Sequence, residues 1–440
     1  NETNKITGWG KYPVVQSNVF EGERPEAVSD YIKESDFNIT PRGNGRSYGD
    51  AGLGARVISS LKLSRILTFD RQAGELSCQS GVLLSDILEL IIPVGYFLPV
   101  MPGTKFITVG GAVAADVHGK NHFANSSFCS HVSDIKLLTG NGELINCSPA
   151  ENSKLFYATC GGMGLTGFIA EVRFSLMKIE TAYIQAENTK CNNLKDLFAA
   201  FNNVAAYKVA WLDCFTGRGI FTTGNHILYK DLQPTLQKYP LVNPAKLTYK
   251  VPFTVPSWVI NNALIKFFNK RRWDNAHTVI KQTVSLDAFF CPLDAVLHWN
   301  RLYGPNGFVQ YQYVLPSAVA LDGTNEILSR INTTRHKCLL AVIKQFGECE
   351  GKSPLSFPME GFTVALDFKI QPGLFALLDE LDKLVVKFGG RLYLAKDARM
   401  DKVTMQQGYP GLADFKKVVE LVNPTGRFTS AQCERIGYLK

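Results

Sequence analysis

The chain has 440 residues, 45% of them hydrophobic and 20% charged, a size for two or three domains and a composition that excludes disordered and fibrous classes. Its formal charge of +8 is modest over this length, and no Lys/Arg-rich block is interleaved with stacking aromatics. Nucleic acid is therefore not an expected partner, and an anionic small ligand is the simpler account of the excess cations.

In chain order, Ala27, Val28, Tyr31 and Ile32 space one amphipathic helix. Between Pro41 and Asp50 the chain then reads PRGNGRSYGD, three glycines around Asn44, Arg46 and Ser47. Successive backbone N–H groups can turn inward there without Cβ obstruction and line an anion-binding concavity. A Rossmann loop would need a strand just before the glycines and an amphipathic helix just after them. Residues 37–40 can form a strand, but AGLGARVISSL after Asp50 reads as a short loop and another strand, so the Rossmann reading is set aside.

Glu75 to Gln79 reads as a strand, and Leu84, Ile87, Leu88 and Ile91 repeat at helical spacing until Pro93 and Gly95 stop them, which marks core. A second glycine-rich stretch, PGTKFITVGGAVAADVHGKNH, runs from Pro102 to His122. Past Gly110 and Gly111 it is small enough for a helix whose first N–H groups favour a phosphate or a flavin carbonyl. Glycine clusters are usually just turns, but two at this separation suggest a clamp for a flavin dinucleotide. A strand pair is expected at 133–138 and 144–147, followed by GGMGLTGFIAEVRF from Gly161, a third cluster able to bring backbone against a planar ring.

Glycine density drops near Thr181, so we divide the chain into a first domain at 1–180, a second at 181–389 and a return to the first at 390–440, where GGRLYLAKDARM and NPTGRF occur. In the second domain, VPSWVINNALIKFFNKRRW from Val255 places Trp258, Ile260, Leu264, Ile265, Phe267 and Phe268 before Lys270, Arg271 and Arg272. A membrane-interface segment and a buried helix with cations at its C-terminal dipole fit these residues equally well. Further on, Gln310 and Gln312 alternate with Tyr311 and Tyr313, so both amides share one strand face and can point at a ligand, although a half-exposed strand gives the same pattern.

Ten cysteines are scattered singly with no CxxC pair, a pattern against structural zinc and for buried reduced thiols; no metal is expected. No apolar run reaches the eighteen or so residues that cross a bilayer, and NETNKITGWG lacks the apolar core of a leader, processing aside.

Five motifs in order, GRSYGD, GGAVAADVHGKNH, GGMGLTG, YGPNGFVQYQYVLP and GGRLYLAKDAR, resemble the vanillyl-alcohol-oxidase/p-cresol-methylhydroxylase type of flavoprotein. Within it the chain is most similar to the decaprenylphosphoryl-β-D-ribose 2-oxidase family. The resemblance implies an α+β fold of two domains, a discontinuous FAD-binding domain and an inserted substrate domain built on an antiparallel sheet. It further implies that Pro41, Arg42, Gly43, Asn44, Gly45, Arg46, Ser47, Tyr48 and Gly49, with Gly103, Thr104, Thr108, Val109, Gly110 and Gly111, hold the dinucleotide. Ala115, Asp116, Val117, His118, Gly119, Gly164, Thr166, Ile169, Tyr393 and Ala395 would complete the cofactor site. Covalent members carry a histidine where this chain has Arg46, so the FAD is expected to be dissociable.

The implied reaction oxidises the ribose C2 hydroxyl of a polyprenylphosphoryl-β-D-ribose to a ketone, the first half of an epimerisation used in cell-envelope synthesis. A separate NAD(P)H-dependent keto-reductase would complete it. Lys396 takes the leading catalytic role, with His118 and Tyr48 as further bases or proton relays, and Lys120, Trp211, Gln310, Gln312, Lys344, Phe346, Ala365 and Lys396 form the substrate pocket. The lipid-linked substrate favours the membrane-interface reading of 255–273 and a cytoplasmic or peripheral inner-membrane location, with the periplasmic face left open. Two alternatives stand beside this, a soluble aldonolactone or alditol oxidase and a flavin-binding subunit that works only with a reductase partner. One departure is plain: Ala365 stands where the family often has a flavin-facing cysteine, and Thr363 where an amide is common. That puts susceptibility to thiol-directed inhibitors in doubt, but not hydride transfer.

Overall fold

The computed structural model describes residues 3–244, 248–277, 281–437 and 439. The first sheet contains β1 (Asn4–Thr7), β2 (Val14–Glu21), β3 (Thr40–Arg42) and β4 (Arg56–Ser59) in the order β1-β2-β4-β3. Strands β2 and β3 both run parallel to β4. The helix Pro25–Glu34 makes the crossover from β2 to β3 and buries Val28 and Ile32, two of the four residues whose spacing foretold it. No helix follows the glycines of the first loop; the chain goes directly to β4.

The second sheet is antiparallel and is built from β5 (Ile66–Asp70), β6 (Glu75–Gln79), β8 (Val132–Leu138), β9 (Leu144–Cys147) and β10 (Phe168–Ser175), in the order β5-β6-β10-β8-β9. The short strands β7 (Tyr96–Phe97) and β11 (Met177–Lys178) pair beside it. The helix Leu84–Ile91 buries Leu84, Ile87, Leu88 and Ile91 against this sheet's core, and the chain turns away at Gly95, whose φ of 83° suits a residue without Cβ.

The third sheet is the largest. It comprises β12 (Tyr183–Cys191), β13 (Tyr207–Leu212), β14 (Gly219–His226), β16 (Gln282–Ser285), β18 (Phe308–Pro316), β19 (Leu340–Phe346), β20 (Gly361–Lys369) and β21 (Arg391–Leu392), ordered β16-β12-β14-β13-β19-β20-β18-β21. A two-stranded parallel ribbon, β15 (Tyr249–Lys250) with β17 (Val296–Leu297), lies outside it. Every neighbouring pair in the large sheet is antiparallel. One face carries Tyr311, Tyr313, Ile343, Val364 and Leu366 into a core shared with the helices Leu194–Ala200, Ala320–Asn332 and Leu374–Lys387. Because side chains alternate along a strand, Gln310, Gln312, Val342, Lys344, Thr363 and Ala365 are left to the opposite face.

The C-terminal segment returns to the first loop. Ile39 bridges Phe428, and the Asn423 amide donates to the carbonyls of Leu165 and Phe428. Arg435 donates to both oxygens of Asp50 at 2.9 Å and to Asp397 at 2.7 Å, and both carboxylates are buried. Burial pushes Asp397 upward, but the guanidinium groups of Arg435 and Arg399 and two backbone N–H groups outweigh it and hold the carboxyl below its ordinary range. Nine of the ten cysteines are buried.

The segment 255–273 forms the helix Asn262–Asn275, capped by the Asn261 side chain. It is not the buried helix of one reading: only Ile265 and Asn269 are buried, while Trp258, Leu264, Phe267 and Phe268 are exposed.

Candidate active site

One cavity of about 860 Å³ starts at the first glycine loop, passes the second, and runs over the open face of the large sheet. Such a volume suits a cofactor with a substrate. Its walls are built from residues that the sequence singled out: Pro41 to Tyr48, Gly103, Thr104, Thr108, Gly110, Gly111, Ala115, Val117, His118, Gly164, Ile169, Tyr393 and Ala395 at one end. Lys120, Trp211, Gln310, Gln312, Lys344, Ala365 and Lys396 line its sheet side.

The loops are held close. Asn44 donates to the Phe106 carbonyl at 2.8 Å, and Arg42 donates to the carbonyls of Gly52 and Thr7. Thr108 caps the six-residue helix Val109–Ala114 by accepting from Gly111 N at 3.1 Å. A Cβ on Gly43 would come within 2.3 Å of Thr108 Oγ1, so only glycine lets the two loops approach this closely. The backbone N–H groups of residues 44–47 meet no acceptor among the described residues, and Ser80 Oγ, a buried hydroxyl on the cavity wall, is likewise unpartnered. Donors left over beside a glycine cradle are what a pyrophosphate requires, and the site fits FAD. Arg46 lies over the ring of Trp9, 4.2 Å from its centroid.

Six expected residues stand behind the walls. Val109 and Thr166 are buried, the latter sharing a hydrogen bond with Thr159. Asp116, turned by a φ of 39°, accepts from Cys129 N and from Ser356 Oγ instead of facing the cavity. Gly49 is pressed on the Asp397 carbonyl, and Gly119 on Asn121 and Met101. Phe346 sits edge-on to His118 and packs on His122, bracing the imidazole from behind. Conversely, Trp9, Ser80, Arg272, Phe289, Phe290 and Asp294 line the cavity without having been expected there. Only Arg272 carried a signal, as one of the cations closing the 255–273 segment.

The polar centre lies where β18, β19 and β20 meet the end of the second loop. The Gln312 amide donates to Thr363 Oγ1 and to His118 Nε2, both at 3.1 Å, and Lys344 Nζ is 3.4 Å from His118 Nδ1. A neutral imidazole has one lone pair and one N–H, so with Gln312 donating to Nε2 the proton is left to Nδ1, on the side of Lys344. Burial first, then the charges of Lys344, His122 and Lys396, hold His118 well below its ordinary pKa, and burial brings Lys344 down to about 8. Gln310 donates to Asp367 at 2.6 Å, and Tyr303 donates to the same carboxylate. Burial raises Asp367 to about 6.

Lys396 rests 3.6 Å from the centroid of the Tyr48 ring. Burial lowers it to about 7; Asp367 works against that shift and Lys344 with it. Burial likewise brings Lys120, bonded to the Phe289 carbonyl, to about 7. Tyr48 is a platform: its phenol is pushed well above the ordinary range, by burial first, and its ring stands edge-on to Phe308. Lys396 can thus exchange a proton near neutrality, which neither Tyr48 nor His118 can. Among the described residues no cluster of His, Cys, Asp and Glu could hold a metal, and no cysteine lines the cavity.

Comparison with known proteins agrees with this architecture. The FAD binding domain family matches residues 23–148. Decaprenylphosphoryl-β-D-ribose oxidase of Mycolicibacterium smegmatis is 35% identical over 99% of this chain and 98% of its own length. Alditol oxidase of Streptomyces sp. (strain IKD472 / FERM P-14339) is 22% identical over 97% of each. Cytokinin dehydrogenase 2 of Arabidopsis thaliana is 29% identical over 32% of this chain and 29% of its own length. The protein is an FAD-dependent oxidoreductase.

Proposed function

Since the chain belongs to the decaprenylphosphoryl-β-D-ribose oxidase family, we propose that it oxidises the C2 hydroxyl of a polyprenylphosphoryl-β-D-ribose to a ketone. The observation that carries the reading is the continuity of the cavity: a polar, lysine-rich end beside the glycine loops opens onto a long sheet floor, room for a sugar that brings a lipid with it. FAD, when bound, supplies the hydride acceptor. Pro41 to Ser47, Gly103 and Thr108 to Gly111 would hold its pyrophosphate, without a covalent bond because the first loop carries Arg46 and no histidine.

Gln310, Gln312 and Lys344 position the sugar. As hydride leaves the carbinol carbon, the hydroxyl proton passes to the Lys396 amine, which becomes the ammonium that balances the electrons gained by the cofactor. His118, kept neutral, fixes Gln312 and Lys344. The product would go to a separate NAD(P)H-dependent keto-reductase for the second half of an epimerisation in cell-envelope synthesis. In this reading 181–389 is a substrate domain inserted into the FAD domain, which the return of 390–440 to Asp50 and Ile39 supports.

Peripheral membrane contact belongs to the same reading. Among the described residues no helix is long and apolar enough to cross a membrane. Trp258, Phe267 and Phe268 are exposed beside Lys270 and Arg271, and apolar side chains flanked by cations suit an interface with anionic lipid.

Anaerobic titration of the flavin absorbance tests the reaction. Rapid bleaching by polyprenylphosphoryl ribose is expected, and little by free alditols or aldonolactones. Bleaching by the free compounds alone would transfer the chain to the soluble oxidases.

A further inference from the structure

The open face of the large sheet continues well past the polar centre. Gln312 on β18, Ala365 on β20, Val342 on β19 and Trp211 on β13 are successive Cα partners across the floor. Strands lie ~4.8 Å apart, so Trp211 stands about 10 Å from Ala365. Above it the last turn of the helix Asn262–Asn275 brings Arg272 over the indole, 4.9 Å from the ring centroid. The three lysines nearer the centre are engaged: Lys120 with the Phe289 carbonyl, Lys344 with His118, Lys396 on Tyr48. The Arg272 guanidinium meets no acceptor and no carboxylate among the described residues, though it lines the cavity. Five N–H donors held over an aromatic face are suited to a phosphate diester, which two acceptor oxygens let them grip in bidentate fashion.

We propose that Arg272, supported by Trp211, is the subsite for the phosphodiester of the substrate, placed where the floor passes from the sugar end toward the lipid end. This rests on the proposed lipid-linked substrate, and it makes Arg272 a specificity residue with no part in hydride transfer.

Calorimetric titration of the FAD-loaded full chain with farnesyl phosphate and with farnesol tests it without turnover. The wild type is expected to prefer the phosphate by about tenfold or more, the scale of one or two charge-assisted hydrogen bonds. Arg272→Gln is expected to erase that preference, and Arg272→Lys to recover only part of it, because a point charge replaces a planar fork. In anaerobic flavin reduction by farnesylphosphoryl ribose, R272Q is expected to raise the half-saturation concentration about tenfold and leave the limiting rate within about threefold. An R272Q protein that keeps its preference for the phosphate, or a wild type without one, overturns the subsite. Should the wild-type flavin resist reduction by the lipid-linked ribose while R272Q still loses phosphate binding, the proposed reaction falls and the subsite stands.

Discussion

Lys396 illustrates how burial changes what an ordinary side chain can do. An exposed lysine is a permanent cation at neutral pH; buried against Tyr48, this one is brought to about 7 and can be amine or ammonium. Lys396→Met is expected to slow flavin reduction by about 10² to 10⁴, the usual worth of a positioned acid or base, while FAD stays bound. Stopped-flow bleaching measures it, and a loss under threefold would remove Lys396 from the chemistry. In the proposed mechanism the amine is the acceptor, so the limiting rate should rise as pH passes upward through about 7 and level off, and the K396M residual rate should lack that limb. Lys396 was legible in the sequence only through the YLAKD motif, since nothing in the type or spacing of a lysine foretells burial. Asp116 shows the converse. It sits inside a cofactor motif, yet its backbone φ of 39° turns the carboxylate to Cys129 and Ser356, a rotation that no one-dimensional pattern records.

Among elements, the glycine loops were the most readable, because closeness of backbone to backbone demands glycine and glycine is visible in a sequence. Gly43→Ala would place its Cβ 2.3 Å from Thr108 Oγ1, forcing the loops apart. Weaker FAD retention is expected, at least about tenfold by equilibrium dialysis, with the large sheet and its circular dichroism preserved. Unchanged retention would mean that the cradle does not set the cofactor's place. Strand alternation at Gln310 and Gln312 was equally readable; their partners were not. Trp9, Ser80, Phe289 and Asp294 reach the cavity from three separate stretches of chain, and each looks like an ordinary turn or core residue until the tertiary fold brings it to the wall. The 255–273 segment was ambiguous for a physical reason: its apolar residues follow no single helical face, so periodicity could not tell buried from exposed.

For the whole molecule, the exposed Trp258, Phe267 and Phe268 make the proposed membrane contact testable by vesicle co-sedimentation. The wild type is expected to pellet with anionic vesicles and much less with zwitterionic ones, while Phe267→Ser combined with Phe268→Ser should lose at least half of the bound fraction. Equal pelleting by the double variant would leave that face without a membrane role.

The tie between Arg435 and Asp50 has a consequence in time. The two residues are 385 positions apart, and the cofactor loop ends at the very carboxylate that this arginine secures. At roughly 5 to 20 residues per second, a nascent chain spends about 20 to 80 seconds with the loop made and its clasp still unsynthesised. The early loop therefore waits on the late helix Ala431–Ile436, and if the loop holds the flavin as proposed, a firm grip on it is among the last events in the birth of the molecule.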